Sequence, residues 1–364
     1  MPAGYRRPCA KRAGQMHYRD ARMPSQLSFP AIGLPPIGEG FATRIAESVY
    51  WLRMPMGADG INVWALEDGD GWTIVDTGLR SAETVTAWHH AFTRALDGRP
   101  ILRIIVTHLH QDHSGMAGWL AQKVSAPLWM TRLEYLTLRA LGAHTVDQVP
   151  VETIRFYKSV GWDEDDLDHY RARVVDFRNM LYPPPNSFRA IEHGERVIIG
   201  DREWIVAVGS GHSPEHASLH CPQERLLISG DQVLPQISSN VSVQPVEPEA
   251  DPLSQWLASL SAFRNDLPDD VLVLPAHGRP FFGLHARIDA LLNGHEHRLE
   301  RLLFELTTPR RAIDVFPVLF KRDIDKMMLE LATGESLAHL ACLRGRGLVI
   351  DEVDSDGVRW WRAL

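Results

Sequence analysis

The chain has 364 residues, enough for one large domain with a smaller companion, or for two domains. Its hydrophobic fraction of 45% and charged fraction of 23% are ordinary for a globular protein and exclude a mainly disordered or membrane-embedded chain. The formal net charge of -8 excludes the overall basic excess of a nucleic-acid coat. Three scattered cysteines exclude a disulfide framework and fit a reducing compartment, so we expect a cytoplasmic protein without a membrane span.

Residues 1–40 precede the regular structure. The first 25 residues carry six basic side chains against one acidic one, and residues 24–40 contain four prolines. We therefore predict a disordered basic arm followed by a Pro-rich linker or surface strap. Two alternatives stay open for the arm, namely a natural start at Met23 or a transit peptide.

Residues 41–306 predict a β-rich sheet that continues into a βαβ rhythm. Short β-branched and aromatic runs, separated by Gly and Asp turns, are typical of strands. A helical block over about 131–181 ends at a run of three prolines and is predicted to be an insertion. The other predicted helices are 81–96, 114–124, 253–265 and 285–306. The predicted strands are 48–52, 61–66, 72–76, 101–106, 196–199, 204–208, 217–221, 226–229 and 271–274.

Residues 307–364, called the tail below, predict a small C-terminal winged-helix domain. Its predicted elements are helices at 309–320, 322–331 and 334–343 and a hairpin of strands 348–353 and 358–362. Ten basic and ten acidic residues cancel between positions 301 and 364, so the tail lacks the positive surface that phosphate binding needs. We expect it to pack on the larger domain or on a partner subunit through apolar residues such as Phe316, Leu319 and Leu343.

The densest group of metal-binding side chains follows the predicted strand 101–106. It has the pattern His-x-His-x-Asp-His. Residues two apart in an extended segment project to the same side, so His108 and His110 can share one ion. The turn beyond them directs Asp112 and His113 toward a second ion. Three more polar groups follow strand ends, where rigid sheets support sites: Gly211-His212, Gly230-Asp231 and His277-Gly278.

These four pieces, in this order, resemble the pattern of the metallo-β-lactamase superfamily, and Val75-Asp76-Thr77-Gly78 fits the same family. The resemblance covers about residues 45–300 and implies an α+β fold, an αββα sandwich. It also implies two divalent metal ions, zinc by default, with iron or manganese as alternatives. The implied ligands are His108, His110 and His212 for one ion, Asp112, His113 and His277 for the other, and Asp231 as the bridge.

The resemblance also distinguishes branches of the superfamily. The acidic Asp231 at the bridging position is typical of glyoxalase-II-like thioesterases, lactonases and nucleases, and argues against β-lactam hydrolysis. His110 occupies the position where flavodiiron relatives carry Glu, which argues against that redox branch. His216 and Asp76 are expected to support the ligands by hydrogen bonds rather than bind metal.

A second His-x-His pattern lies outside the family motif. His295 and His297 fall in a predicted helix, where residues two apart point to different sides of the axis and cannot share an ion. We interpret both as solvated helix surface.

We therefore expect a hydrolase in which two metal ions activate a shared water and Asp112 also accepts its proton. No assured general acid is visible, which favours a small acyl substrate with a good leaving group, namely a thioester, ester or lactone. Two alternatives stay open: a metal-dependent phosphodiesterase or endoribonuclease, and a mononuclear iron oxygenase on the same scaffold. We expect no nucleic-acid partner and leave a homo-oligomer open.

The helical insertion carries aromatic and cationic residues that could line a substrate pocket. Packing in the core is the stronger interpretation for each of them. They are Tyr135, Arg139, Tyr157, Trp162, Tyr170 and Arg171.

Overall fold

The β-branched and aromatic runs form two sheets that pack face to face, with helices on both outer surfaces. This computed structural model describes residues 27–143, 149–173 and 179–364. The strands are β1 Thr43–Ala46, β2 Val49–Met54, β3 Ile61–Asp68, β4 Gly71–Val75, β5 Ile101–Ile105, β6 Leu128–Met130, β7 Arg189–Ala190, β8 Arg196–Ile199, β9 Arg202–Gly209, β10 His216–Cys221, β11 Leu226–Gly230, β12 Leu272–Pro275, β13 Val349–Val353 and β14 Arg359–Ala363.

The helices cover the outer face of each sheet, form most of the insertion and contribute to the tail. In chain order they are α1 Ala82–Thr93, α2 Gln111–Ser114, α3 Ala117–Val124, α4 Arg132–Ala143, α5 Val151–Ser159, α6 Glu164–Arg173, α7 Pro252–Asp266, α8 Leu284–Glu305, a 3-10 helix Ala312–Val315, α9 Phe316–Leu319 and α10 Leu329–Gly345. Within the described residues, no helix combines the length and apolar character needed to cross a bilayer.

The seven-stranded sheet follows chain order from β1 to β7, antiparallel as far as β4 and parallel from β4 onward. The five-stranded sheet has the order β12-β11-β10-β9-β8, with only β11 and β12 parallel in it. The parallel strands β5, β11 and β12 each end in a loop that carries polar residues of the metallo-β-lactamase motif. The sheets therefore position these loops.

The central strands of each sheet are buried on both faces. In β2, Val49 and Trp51 face the opposite sheet, whereas Leu52 and Met54 face the helices α1 and α3. Trp51 stacks on Trp64 between the sheets, with ring centroids 6.0 Å apart. Burying each such large side chain stabilises the fold by about 2 kcal/mol, so the strands are apolar almost throughout. The mixed sandwich predicted from the sequence is confirmed.

The tail differs from its prediction in its helices. The predicted helix 322–331 is wrong: residues 321–328, all within the described part of the chain, form no helix, and α10 runs unbroken from Leu329 to Gly345. Gly334 was expected to begin a helix but lies inside one. A Cβ there would come within 2.7 Å of Ser242, so glycine is needed for close packing and does not interrupt the helix.

The tail packs on the larger domain, as its apolar residues predicted. Leu319 and Leu343 are buried in one core cluster with residues of α7 and α8, and Phe316 packs against that cluster. In the hairpin β13–β14, Trp361 is 1% exposed whereas Trp360 remains partly exposed. The alternation along the strand therefore directs only one of the two tryptophans inward.

The Pro-rich segment behaves as a surface strap over its described part. Ser28 forms an isolated antiparallel bridge with Phe282, and the Arg279 guanidinium donates to the carbonyls of Pro30 and Ile32. The predicted disorder of the basic arm concerns residues 1–26, which lie outside the described residues, as do 144–148 and 174–178 of the insertion. The structure also has three short strands that the sequence did not predict, β1, β6 and β7.

Candidate metal centre

Four loops bring the seven predicted ligand side chains together. The loop after β5 carries His108 and His110 and turns into the single-turn helix α2, which holds Asp112 and His113. The other three ligands follow β9, β11 and β12: His212, Asp231 and His277. Their ligand atoms form three overlapping groups, each within 4.8 Å.

The first group, called the His108 set, consists of His108, His110 and His212. His110 Nδ1 lies 2.9 Å from His108 Nε2 and 3.0 Å from His212 Nε2, and the two Nε2 atoms are 3.3 Å apart. Tetrahedral ligand nitrogens at about 2.05 Å from a metal are separated by about 3.3 Å. The three imidazoles are therefore spaced like the ligands of one ion.

The second group, called the Asp112 set, consists of Asp112, His113 and His277. Asp112 Oδ2 lies 3.3 Å from His277 Nε2 and 3.8 Å from His113 Nε2. This group is wider than the His108 set and includes a carboxylate.

Asp231 stands between the two sets. Its Oδ2 atom is 3.5 Å from His212 Nε2 in the His108 set and 3.5 Å from His113 Nε2 in the Asp112 set. Its Oδ1 atom is 3.6 Å from His277 Nε2. One carboxylate thus approaches ligand nitrogens of both sets, which is the geometry that a bridging ligand requires.

The residues present fit divalent cations. His113 Nε2 and Asp231 Oδ1 are buried and form no hydrogen bond within the described part of the chain. Buried polar atoms without partners are costly, and a cation near both would satisfy them. Imidazole and carboxylate donors together suit zinc, iron or manganese, so the donor set does not select one metal.

The protonation of the two sets differs. Burial, with His212 nearby, lowers the pKa of His110 to about 3. Burial and the neighbouring His113 also lower the pKa of His108 well below its ordinary value. Both rings are neutral at pH 7 and can donate lone pairs to a metal.

In the Asp112 set, the negative carboxylates and the positive imidazoles stabilise each other's charged forms. Burial opposes ionisation of Asp112, but His113 and His277 outweigh it and lower the pKa of this carboxyl. Burial likewise opposes the charged form of His113, but Asp231 and Asp76 raise its pKa well above the ordinary value. The pKa of His277 is also raised, because Asp231 and Asp112 outweigh its burial.

Asp76 and His216 support the ligands, as the resemblance implied. Asp76 accepts hydrogen bonds from the Thr107 backbone N–H at 2.8 Å and from His113 Nδ1 at 2.8 Å. His216 Nε2 accepts from the Asp231 backbone N–H at 3.1 Å. A Cβ on Gly230 would lie 2.6 Å from this Nε2 atom, so glycine is required beside the bridging position.

Two buried residues that the sequence analysis missed hold the ligand loops. Glu134, at the start of α4, accepts from the backbone N–H groups of Leu109 and Glu215, each at 2.8 Å. Asn62, on β3, donates to the carbonyls of Pro275 at 2.7 Å and Gly278 at 2.8 Å, on either side of His277. A single acid in a helix's first turn and a single Asn in a strand give no local signal of this role.

The aromatic residues of the insertion pack mainly in the core. Tyr157 and Trp162 are buried and stacked, with ring centroids 4.0 Å apart, and Tyr170 packs on both. Tyr135 is buried and donates to the Pro185 carbonyl at 2.7 Å. The two arginines bind polar neighbours: Arg139 donates to Asn186, and Arg171 pairs with Asp168.

The interpretation of His295 as solvated surface is wrong. His295 is 1% exposed and lies on the inner face of α8, where Arg298 donates to its Nδ1 at 3.1 Å. His297 is exposed, as predicted. Among the described residues, neither histidine belongs to a group of potential metal ligands.

Comparison with known proteins identifies the family. The model of the metallo-beta-lactamase superfamily matches residues 56–277, more than half of the chain, and the model of the metallo-beta-lactamase-like C-terminal domain matches residues 299–364. The chain therefore belongs to the metallo-beta-lactamase superfamily, whose members are generally hydrolases.

Three relatives show how far the similarity extends. The crystal structure of a beta-lactamase domain protein from Burkholderia ambifaria is 39% identical, with a TM-score of 0.85, covering 94% of this chain and 99% of that one. The probable metallo-hydrolase YqjP of Bacillus subtilis is 23% identical over 79% of this chain and 90% of its own length. The acyl-coenzyme A thioesterase MBLAC2 of Gallus gallus is 24% identical over 54% of this chain and 66% of its own.

Proposed function

We propose that the protein is a binuclear metal-dependent hydrolase that cleaves a small thioester, ester or lactone. The observation that carries the proposal is the position of Asp231 Oδ2, 3.5 Å from a ligand nitrogen of each set. The similarity to an enzyme named as an acyl-coenzyme A thioesterase supports the acyl substrate class.

Different side chains would hold each of the two metal ions. The His108 set and the Asp112 set would each hold one divalent ion, with Asp231 shared between them. When bound, such ions supply activation of a water at neutral pH and polarisation of the substrate oxygen. Five of the seven candidate ligands are buried, and His110 and His212 are partly exposed. The reduced contact with water strengthens the electrostatic interactions of the buried side chains.

Asp112 is the residue that we assign as proton acceptor for the attacking water. Its lowered pKa keeps the carboxylate ionised at neutral pH, as a proton acceptor must be. The pKa of Asp231 is also lowered, because His277 and His113 outweigh its burial. Neither carboxylate carries a proton before the attack, so the site has no dedicated general acid, which favours substrates that release a thiolate or another stable anion.

The test combines metal analysis with a substrate panel. Protein prepared without added metal should contain two divalent ions per chain and hydrolyse an acyl-coenzyme A at least about tenfold faster, by kcat/KM, than bis(p-nitrophenyl) phosphate. A lactone and a p-nitrophenyl ester complete the panel. A preference for the phosphodiester, or one iron per chain with oxygen consumption, would overturn the proposal.

Asp231→Asn tests the bridge separately. The amide offers only one oxygen and no charge, so metal content and turnover should fall together. Retention of two tightly bound metals with near-normal turnover would show that Asp231 does not bridge.

The tail gives no support to the ribonuclease alternative. Three of its arginines are paired with carboxylates, Arg344 and Arg359 with Glu249 and Arg346 with Glu296, at 2.6 to 2.9 Å. We therefore propose a small acyl substrate as the partner and no nucleic acid. Submicromolar binding of single-stranded RNA with a steep salt dependence, lost on deleting residues 307–364, would contradict this.

Finer assignments stay predictions. The acidic residue at position 231 supports a glyoxalase-II-like branch, and the hairpin after α10 supports a winged-helix tail. The domain boundaries, the cytoplasmic location and a homo-oligomer likewise stay predictions.

A further inference from the structure

The tail helix α10 buries an unusual row of polar side chains. Residues 332–343 are all buried, and they include Thr333, Glu335, Ser336 and His339. Polar groups removed from water are costly unless they find partners inside the protein, so the contacts of these side chains indicate what the row does.

We propose that Glu335 is a positioning residue for the metal ligand His212 and acts through Asn240. Glu335 Oε2 accepts a hydrogen bond from Asn240 Nδ2 at 3.1 Å. The backbone carbonyl of Asn240 in turn accepts from His212 Nδ1 at 2.7 Å. Two hydrogen bonds thus connect the tail to a ring nitrogen of the His108 set.

The hydrogen bond from His212 Nδ1 to the Asn240 carbonyl determines the tautomer of the ligand ring. Because Nδ1 carries the proton that it donates to Asn240, Nε2 keeps its lone pair and faces the ligand nitrogens of His108 and His110. The position of one backbone carbonyl therefore sets both the tautomer and the orientation of His212.

The hydrogen bond from Asn240 Nδ2 to Glu335, together with contacts of Ser242 and Val243, fixes the position of that carbonyl. Asn240 lies in the segment 231–251, which contains no regular element and is entirely described, so its position depends on contacts made outside it. Ser242 Oγ donates to Asn240 Oδ1, so both ends of the amide are held. The Val243 N–H donates to the Gly334 carbonyl at 3.0 Å, which attaches the same segment to α10.

The tail is therefore part of the support of the metal centre. The inference rests on the proposed function, because it takes His212 as a metal ligand. It adds that a residue about 120 positions further along the chain tunes that ligand.

The experiment measures metal binding rather than turnover. Full-length protein is stripped, titrated with Co²⁺ against a chelating dye, and followed by visible absorption. Glu335→Ala should weaken one of two Co²⁺ sites about 10- to 100-fold and change its absorption band. Glu335→Gln keeps an oxygen that accepts from Asn240, so its affinity should stay within about threefold of wild type.

Ser336→Ala is the matched control. Ser336 is buried beside Glu335 on α10, and its Oγ forms no hydrogen bond in the described part of the chain. Its Co²⁺ affinity and spectrum should equal those of wild type. If Ser336→Ala loses as much as Glu335→Ala, general packing of α10 explains the effect and the proposal is wrong.

Asn240→Ala keeps the proposal testable if Glu335→Ala does not fold. It removes the side chain that Glu335 holds but keeps the backbone carbonyl, and it should weaken the same Co²⁺ site. Wild-type binding in either variant would overturn the inference alone. A wild-type protein that binds fewer than two Co²⁺ ions would instead overturn the proposed function and this inference with it.

Discussion

The two ligand sets of the candidate metal centre differ in spacing and in protonation. The His108 set consists of three imidazoles within 3.3 Å of one another, and burial keeps at least two of them neutral. The Asp112 set spreads to 3.8 Å and balances carboxylates with lowered pKa against imidazoles with raised pKa. A cation entering the first set meets free lone pairs, whereas one entering the second must displace protons.

The largest expected effect comes from removing one ligand of each set. His108 belongs to the His108 set, so His108→Ala should remove the metal of that set and lower kcat by at least about a thousandfold. His277→Ala should lower kcat similarly and remove the metal of the Asp112 set. Metal analysis of each purified variant should therefore find about one metal per chain.

His297→Ala is the control for this comparison, because His297 is exposed on α8 and distant from the ligand loops in sequence. It should keep both metals and keep kcat within a few-fold. Two metals in His277→Ala, or a loss of activity in folded His297→Ala, would break the assignment of the sets.

A smaller effect is expected from pH. The raised pKa values of His113 and His277 mean that protons compete with metal in the Asp112 set already near neutral pH, so its affinity should fall as pH decreases. His110, with a pKa of about 3, stays neutral in the same range. Protein dialysed at about pH 5.5 should therefore keep one metal, and at about pH 7.5 two.

Metal content measured across this pH range checks the order of release. The contrast between the sets is wrong if both metals leave together. It is also wrong if the metal lost first belongs to the His108 set. His277→Ala identifies that metal, because it retains only the metal of the His108 set, and the pH at which this metal leaves can be compared with the two release steps of the wild type.

The smallest expected effects come from the residues behind the ligands. Glu134→Ala frees the backbone beside His108 and His110, whereas Asn62→Ala frees the loop that carries His277. Each should weaken one metal site by about tenfold, Glu134→Ala in the His108 set and Asn62→Ala in the Asp112 set. Chelator competition measures both affinities, and the reverse pattern would contradict the assignment.

Glu134→Gln and Asn62→Asp serve as matched controls for those two variants. Gln keeps one acceptor of the two that Glu134 uses, so its loss should be partial. Asp keeps the size of Asn62 but cannot donate to the two carbonyls, so it should lose at least as much affinity as Ala.

The candidate ligands could be chosen from the sequence because each has a local signature. His108 and His212 both follow a buried strand, and each lies in a short motif that can be recognised without knowledge of distant contacts. The supporting residues have no such signature. Glu134 binds backbone groups 25 and 81 positions away, and Glu335 meets a partner 95 positions away. Only the folded chain brings such pairs together.

Two wrong predictions had usable signals in the sequence. The buried positions of α8 include Ile288, Leu291, His295 and Leu299, which recur every three to four residues and put His295 on the apolar face. Because Glu296 and His297, which follow His295 directly, are polar, this three- to four-residue recurrence of apolar positions is hard to recognise in the sequence. Gly334 predicts a helix boundary, but a glycine also permits close packing, and only the distance to Ser242 distinguishes the two roles.

The shared core of insertion, helices and tail has a consequence for folding order. It joins Phe156 to Trp361, about 200 positions apart, so it closes only after residue 361 has been synthesised. Non-local closure of this kind is slow, because the entropy of the intervening chain is lost before its contacts form. The loops of the metal centre therefore exist during synthesis well before the helix that holds one of them in place, and the site matures late.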